Sequence, residues 1–398
     1  MLRGGFFVML LKNKDVFKYV LMSLFVSFNL MASVEMLFFE YKSLSLSQIY
    51  MIYSLYSIMI VLLELPTGYL SDKFGAKTSI LFGLICGIIA SIGFILGQGF
   101  IFMLISYIFI ALMLSFFSGS DVSYLYDYLT SEGDVDRFDE VYGKISSYCF
   151  VASIVGAFLG GIIANINMLL VVVVDVIFLV AALIVFYTAN QPKVSNNLDD
   201  KKSEESIRQN ITAIFKIGRG VIPIILVAGI FMTSTLVGSR FSQPLMINAD
   251  VAPIFFGLFF IAAALVNAIS SYFAYKLKNI PISIVLLLPA IVLLIIGSSG
   301  NIFFILLLLF VASSRSIGEV LITTKLNAAI SSEYRATLNS IKSLVFRLIY
   351  APVALVLGFY LEIDIYLTIL KTGIVLGAVM LLLLIYFYHK DKKATTSA

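Results

Sequence analysis

The 398-residue chain has no tryptophan, only one histidine and only two cysteines. Cys86 and Cys149 both fall within apolar runs, so we expect buried thiols rather than a disulfide. His389 stands near the C-terminal end, which excludes a histidine-based catalytic triad and leaves no ligand set for zinc. A nucleotide-binding loop of the P-loop type is also missing. We therefore expect no metal, no cofactor and no enzymatic activity.

Charged side chains are scarce as well. They make up 13% of the chain, whereas 61% of the residues are hydrophobic and the mean hydropathy is +1.04. Soluble domains carry roughly 25% charged residues and could not bury so much apolar surface. The net charge of +4 is too small to indicate a nucleic-acid partner. These values predict an integral membrane protein that is surrounded by membrane lipids.

Long apolar runs recur along the chain, each near the ~20 residues that a membrane helix requires. The first run ends near Phe39, and it is too long to be a signal peptide cleaved at Ala32-Ser33. The sequence thus predicts an all-α membrane protein of about twelve transmembrane helices. The other runs lie at about 47–70, 78–96, 100–125, 142–164, 168–189, 220–245, 253–275, 280–298, 302–325, 338–361 and 365–388.

Residues 191–218 interrupt this pattern with polar and charged side chains, which is typical of a solvated linker. We expect an N-terminal six-helix bundle at 1–190, a cytoplasmic linker at 191–218 and a C-terminal six-helix bundle at 219–398. About 22 of the 27 Lys and Arg residues fall in segments that this arrangement assigns to the cytoplasm, as the positive-inside rule requires. Both termini are therefore predicted to be cytoplasmic.

A short polar stretch, residues 64–78, separates the second and third runs. Its pattern Gly-x-Leu-x-Asp-Lys-x-Gly-x-Lys resembles the signature loop between helices 2 and 3 of the major facilitator superfamily of transporters, although Ala76 stands where a base is more usual. The resemblance implies the two-bundle fold of that superfamily, a central substrate site and a cytoplasmic gate in this loop. The alternative is a positive-inside turn with a helix-capping Asp. The implied gating residues are Glu64, Gly68, Asp72, Lys73, Gly75 and Lys77.

The fifth run contains Gly156-Ala157-Phe158-Leu159-Gly160-Gly161. This stretch resembles the glycine-rich antiporter motif of exporters in the same superfamily, with Ala157 where proline is usual. Glycines four apart permit close helix packing. We expect Gly156, Gly160 and Gly161 to form a tight helix contact that favours export, with generic helix packing as the alternative. The helix 4 arginine that is common in proton-coupled members has no match in 100–125.

Several charged residues fall inside the predicted spans, where each costs at least about 2.5–3.5 kcal/mol at the membrane midplane on insertion scales. They should therefore face a cavity or an opposite charge. Glu35 is the first candidate for binding a proton or substrate, with a position near the outer interface as the alternative. Asp175 is a weaker candidate that could pair with a base, and Arg315 could pair with Glu319 four residues later. The predicted substrate- and proton-binding residues are Glu35, Asp121, Arg315, Glu319 and Arg347.

Together these features predict a secondary active transporter in the cell membrane, of the bacterial inner-membrane or plasma-membrane kind. We expect it to be a monomer that exports small amphipathic molecules in exchange for protons by alternating access. Two other transport functions stay open at this point. One is uptake or exchange of an anionic metabolite bound by Arg315 and Arg347, and the other is translocation of a lipid or glycolipid.

Overall fold

The computed structural model describes residues 13–192, 222–277, 282–328 and 335–396, and every regular element within these ranges is helical. Most of the predicted linker, residues 193–218, lies outside the described residues, as do Arg3 and Lys12. The α-helices of the first half are α1 (Lys14–Ser27), α2 (Glu35–Tyr41), α3 (Leu46–Phe74), α4 (Ala76–Leu96), α5 (Gly99–Phe117), α6 (Ser120–Ser131), α7 (Phe138–Ile166) and α8 (Met168–Tyr187). Those of the second half are α9 (Ile222–Arg240), α10 (Ser242–Asn248), α11 (Pro253–Phe273), α12 (Ile282–Ser299), α13 (Leu308–Ala328), α14 (Arg335–Ile363) and α15 (Ile365–Thr396).

The helices have the lengths that a bilayer demands. In the described ranges, eleven helical segments are long and apolar enough to cross a membrane, and Ser283–Ser299 is a shorter apolar helix. This agrees with the prediction of about twelve spans. The predicted orientation, with both termini in the cytoplasm, stays a prediction.

Four predicted spans are interrupted where the sequence suggested continuous helices. The first span breaks after Ser27, resumes as a 3-10 turn at Met31–Ser33 and continues as α2. The fourth breaks between α5 and α6 at Gly119, whose φ of +80° is left-handed and favours glycine. The seventh breaks at Phe241, and the tenth begins with a 3-10 segment at Ile302–Leu307.

The polar stretch between the second and third spans is mostly helical, so the prediction of a loop there was wrong. α3 continues past Pro66 to Phe74, and only Gly75 separates it from α4. Gly75 has a φ of +87°, and a Cβ at this position would clash with the side-chain amide of Gln191. The positive φ favours glycine at this one-residue connection, whereas the flexible, exposed Gln191 side chain could move aside.

The described residues divide into two compact units. Unit 1 holds those within Met1–Leu44, Leu55–Ile207 and Ala252–Phe260. Unit 2 holds those within Ser45–Ser54, Arg208–Val251 and Ile261–Ala398. The first turns of α3 therefore belong to unit 2, and the first turns of α11 belong to unit 1. The predicted boundaries of the two six-helix bundles stay a prediction.

Each unit has its own apolar core. In unit 1, the rings of Tyr19, Tyr124 and Phe186 pack on one another, with centroids of Tyr19 and Phe186 5.6 and 4.9 Å from that of Tyr124. In unit 2, the core forms around Phe231 of α9, whose ring lies against Gly318 of α13. A Cβ at Gly318 would overlap this ring, so the glycine is what allows the two helices to approach.

An internal repeat relates α1–α3 to α9–α11. The short helix α2 spans Glu35–Tyr41 and α10 spans Ser242–Asn248, a shift of 207 residues at both ends (242 − 35 and 248 − 41). Both helices end in the same cap. Ser43 and Asp250, also 207 apart, have φ values of +62° and +48°, and the next amide bonds back to the carbonyl five residues earlier. This is the Schellman arrangement of a helix C-terminus.

Candidate functional site: a cavity in unit 1

A cavity of about 140 Å³ lies in unit 1 at the break in the first span. It is lined by residues from the break itself and from α1, α2, α4, α5 and α8. Aliphatic and aromatic side chains form most of its wall. The polar side chains that line it are Asn29, Glu35, Ser91, Tyr107 and Asp175.

Glu35, the first predicted site residue, faces this cavity from the first turn of α2. Its carboxylate accepts a hydrogen bond from the hydroxyl of Tyr107 on α5. The Tyr107 side chain is buried and held by neighbouring rings, with centroids 5.3 Å from Phe39, 5.5 Å from Tyr56 and 5.8 Å from Phe94. The aromatic packing therefore fixes the donor that orients Glu35.

Asp175 of α8 is the second carboxylate in the cavity wall. Its two carboxylate oxygens accept backbone N–H bonds from Leu30 at 2.8 Å and Met31 at 3.1 Å. These amides have left the α1 helix and would otherwise be unsatisfied at membrane depth, where an unpaired N–H costs several kcal/mol. Asp175 thus stabilises the break that presents Glu35 to the cavity. The ion pair with a base that we expected for Asp175 is not among those of the described residues.

The predicted helix-packing glycines position the same break. A Cβ at Gly156 would lie 3.0 Å from the amide nitrogen of Asn29, and one at Gly160 would overlap the carbonyl of Leu30. The Ser33 hydroxyl also donates to the Ala157 carbonyl of α7 at 2.7 Å. Because α7 has no side chains at these two glycines, the irregular backbone of the first span can lie directly against it.

Gly161, next in the same motif, contacts a different helix. A Cβ there would lie 2.9 Å from the carbonyl oxygen of Pro253 and 3.1 Å from the amide nitrogen of Gly257, at the start of α11. The equivalent long helix of unit 2, α14, uses Gly358 in the same manner against Ser47 and Tyr50 at the start of α3. The prediction of tight helix packing at these glycines is therefore consistent with the backbone contacts.

The other predicted substrate-binding residues do not line this cavity. Asp121 lies in the first turn of α6 and accepts the backbone N–H of Val122 at 2.8 Å. Arg315 and Glu319 are on α13 and Arg347 is on α14, all in unit 2. Arg315 and Arg347 are half-buried and Glu319 is exposed. Within the described ranges, no ion pair joins Arg315 to Glu319.

Two of the predicted gating residues, Gly68 and Lys77, differ in surroundings. Outside the backbone of α3 itself, no described atom lies within 4 Å of a Cβ built on Gly68. Lys77, in contrast, donates to the carbonyl of Tyr187 at 3.0 Å and so caps the C-terminal end of α8.

The remaining gating residues lie on α3. Asp72 and Lys73 are exposed, and the Lys73 ammonium lies over the rings of Tyr69 and Phe74, 6.0 and 5.6 Å from their centroids. Glu64 is half-buried, and its backbone carbonyl is 3.4 Å from the Thr67 hydroxyl. Their gating role stays a prediction.

Three buried charges outside the predicted set have structural partners. Lys42 is fully buried and donates to the carbonyls of Ile95 and Gly97 at the C-terminal end of α4, at 3.1 and 2.9 Å. This burial lowers the pKa of the Lys42 ammonium. Asp15 accepts the side-chain amide of Asn190 at 2.8 Å. Lys342 of α14 is also buried and lies 3.4 Å from the Thr323 hydroxyl.

The sequence did contain a signal for these residues. Lys42 and Asp15 each stand beside an apolar run of the sequence. A helix terminus next to such a run offers a charged side chain carbonyl or amide partners.

Comparison with known proteins now identifies the fold. A family model described as Major Facilitator Superfamily matches residues 19–351. The chain belongs to the major facilitator superfamily. It is therefore a multi-pass membrane transporter and not an enzyme. No curated protein matches the chain.

Solved structures of superfamily transporters resemble the chain over nearly its whole length. A POT family transporter in complex with a thioalcohol-conjugated peptide gives a TM-score of 0.69 at 15% identity, covering 94% of this chain and 96% of that chain. The nucleoside transporter NupG gives 0.69 at 11%, covering 93% and 98%. A bacterial homolog of the human lysosomal transporter Spinster, inward-facing and occupied, gives 0.65 at 14%, covering 95% and 96%. At these identities the likeness shows the fold alone.

Proposed function

We propose that this superfamily member is a proton-coupled exporter of small amphipathic molecules in the cell membrane, working by alternating access. The observation that carries the proposal is the carboxylate of Glu35, which faces a mostly apolar cavity and is held by the hydroxyl of Tyr107. A charged side chain inside a membrane span is expensive and marks a site of function. A carboxyl group there can be neutralised either by a proton or by a bound substrate, which makes the two compete.

The arrangement of the cavity supports coupling to a conformational change. Glu35 sits on a seven-residue helix, α2, which is joined to α1 only through the irregular segment at 28–34. Asp175 holds that segment through two backbone amides, and α7 supports it through Gly156 and Gly160. A change in the charge of Glu35 therefore acts where α2 joins the irregular segment 28–34. Small rotations of α2 relative to α1 cost least at such a junction.

The direction of transport rests on the glycine motif of α7. The stretch resembles the antiporter motif of exporters, and its three glycines make backbone contacts on two sides of the helix. Close packing of this helix would restrict passive leak while the substrate is exchanged for a proton. We infer export for this reason, and the signature residues on α3 would act as the gate.

The test is proton movement in liposomes that contain the purified protein and a pH-sensitive dye inside. Under an imposed pH gradient, addition of a small amphipathic amine should cause protons to cross the membrane. This proton movement should be faster in liposomes that contain the protein than in liposomes that lack it. Glu35→Gln should reduce this coupled flux at least tenfold, because its amide cannot carry the proton. Glu40→Gln is the matched control: Glu40 lies on the same short helix, is exposed and does not line the cavity.

The proposal would be contradicted if no solute in the panel drove proton movement, or if Glu35→Gln behaved as the unchanged protein.

A second candidate function is exchange of an anionic metabolite, which is favoured by the half-buried Arg315 without an ion pair to Glu319 among the described residues. In that case Arg315→Gln should abolish transport of an organic anion and spare that of a cation.

A further inference from the structure

The helix α15 exposes one face along its apolar span, Ile365–Ile385. The exposed side chains recur every three or four positions and so form a single stripe along the helix. The other face packs on α12, where a Cβ at Gly373 would lie 2.9 Å from the amide nitrogen of Leu294. The stripe is therefore a surface that membrane lipid covers. Leu367, Ile374, Val375, Leu381 and Ile385 belong to it, and Lys371 lies among them.

Lys371 is the one charged residue in the sequence of this span. It follows Ile365, the first residue of α15, by six positions, which is about 9 Å along the helix axis. A charged side chain inside a span usually faces the interior of the bundle or an opposite charge. Lys371 instead lies on the exposed stripe, and none of the ion pairs among the described residues includes it.

The two carboxylates at the adjoining turn are bonded to other groups. Asp364, the single residue between α14 and α15, accepts the backbone N–H of Leu367 at 2.9 Å. Glu362 accepts the backbone N–H and the hydroxyl of Ser47 at 3.1 and 2.9 Å. Neither carboxylate forms an ion pair with Lys371, so the counter-charge of this lysine has to come from its surroundings.

Tyr360 of α14 directs the ammonium of Lys371 toward the membrane surface. The Lys371 Nζ lies over the Tyr360 ring, 5.4 Å from its centroid. The Thr368 hydroxyl donates to the Tyr360 carbonyl at 2.8 Å and so fixes the end of α14 against α15. Tyrosine rings are enriched at the level of the lipid head groups, and a lysine can lay its stem along apolar surface to bring its ammonium to that level.

We propose that Lys371 and Tyr360 form a binding site for a phospholipid, which is held through its phosphate. The Lys371 ammonium donates to the phosphate, the Tyr360 ring packs beside the glycerol, and the acyl chains lie along the apolar stripe of α15. A phosphate is the anionic group that a bilayer supplies at this depth, and a hydrogen bond between two charged groups is a strong one. In the predicted orientation the site is in the outer leaflet. It does not depend on the substrate or direction of transport.

The test is lipid binding to the full-length protein in a nonionic detergent, measured by native mass spectrometry. The probes are dioleoylphosphatidylcholine and dioleoylglycerol, which has the same acyl chains and lacks the phosphate. The unchanged protein should bind its first phosphatidylcholine at least fivefold more tightly than its first dioleoylglycerol. Lys371→Gln should remove most of this preference and leave the binding of dioleoylglycerol as it is.

Lys144→Gln is the matched control, since it removes one positive charge as Lys371→Gln does. The Lys144 ammonium already pairs with Glu140 at 2.6 Å, so both lipid affinities should stay unchanged in this variant. Lys371→Arg keeps the charge and should retain the preference for phosphatidylcholine. If Lys371→Gln fails to fold, Lys371→Leu, which continues the apolar stripe, takes its place.

Equal binding of the two lipids by the unchanged protein, or a preference that survives in Lys371→Gln, overturns the site. Lys371 would then be a side chain that reaches the membrane surface without a lipid partner. A dimer that forms without lipid and requires Lys371 would also overturn it, because a second copy would supply the counter-charge. A preference that is lost in Lys371→Gln and kept in Lys371→Arg and Lys144→Gln supports the site.

Discussion

Units 1 and 2 repeat one helical plan and differ in how each interrupts its first span. In unit 1 the interruption extends from residue 28 to residue 34, and two of its amides donate to a carboxylate from α8. In unit 2 it is the single residue Phe241, whose N–H still reaches the carbonyls of Val237 and Gly238 at 3.3 Å. The position that corresponds to Glu35 is Ser242, which donates across the break to the Ser239 carbonyl of α9.

The difference shows why the acidic cavity belongs to one unit. A one-residue break keeps its amides bonded within its own helix and needs no outside acceptor. A seven-residue break frees several amides at membrane depth, so an acceptor must come from a neighbouring helix. Asp175 supplies it, and the space opened by the irregular segment becomes the cavity. Unit 2, with a nearly continuous span, instead places half-buried bases on α13 and α14.

The largest effect should come from filling the glycine contact that supports the wide break. Gly160→Leu should lower the free energy of unfolding by about 3 kcal/mol, because a Cβ would overlap the Leu30 carbonyl and backbone cannot move aside cheaply. Gly358→Leu, the counterpart in unit 2, should cost about 2 kcal/mol against Ser47 and Tyr50. Thermal unfolding in detergent measures both.

Gly143 provides the control on the same helix as Gly160. No described atom lies within 4 Å of a Cβ built there, so Gly143→Leu should cause no loss of stability. If Gly160→Leu were as stable as Gly143→Leu, the contact between α7 and the break would not hold the break in place.

The next effect should separate the two breaks. Asp175→Ala leaves the amides of Leu30 and Met31 without their acceptor and should cost about 2 kcal/mol. Ser242→Ala removes a hydroxyl that bonds only to the carbonyl three residues earlier and leaves no backbone amide without an acceptor, so it should cost less than about 0.5 kcal/mol. Equal losses, measured by unfolding of the two variants side by side, would show that both breaks depend on side chains to the same degree.

The smallest effect concerns the matching C-caps. Lys42 corresponds to Ala249 in the repeat, so Lys42→Ala gives unit 1 the residue of unit 2. The variant should lose about 1 kcal/mol, because the carbonyls of Ile95 and Gly97 lose a donor.

The pH dependence of this loss is a further check. Burial lowers the pKa of Lys42 below its usual 10.5, so the unfolded chain binds more protons than the folded one just below pH 10.5. The stability of the unchanged protein should therefore rise, relative to Lys42→Ala, as the pH approaches 10.5 and level off above it. A difference that falls with pH would contradict burial of the charged ammonium.

Much of the fold could be predicted because the bilayer imposes its own length scale. The helical class, the approximate number of spans and the superfamily followed from apolar runs and from the pattern at Gly68–Lys77. Glu35 was predicted to be a binding residue because a carboxylate within an apolar run is costly to expose to lipid and should face a cavity or an opposite charge. Its partner Tyr107 could not be predicted, since that contact joins residues 72 apart on different helices.

The breaks could not be predicted for a similar reason. Residues 28–34 contain no proline and no glycine, and hydropathy there resembles that of a continuous helix. The helix stops because Asp175 offers its amides another partner and because Gly156 and Gly160 leave room. Conversely, the polar stretch 64–78 suggested a loop, although α3 continues as a helix to Phe74.

The sequence alone determined that the protein is a membrane-spanning chain of the major facilitator superfamily. Hydropathy and charge placement are properties of consecutive residues, so they can be read without knowing any tertiary contact. Only the tertiary structure decided where its first span opens and which carboxylate, that of Asp175, holds the opening. Those depend on the distance between a side chain on one helix and a backbone amide on another, and that distance is set by packing.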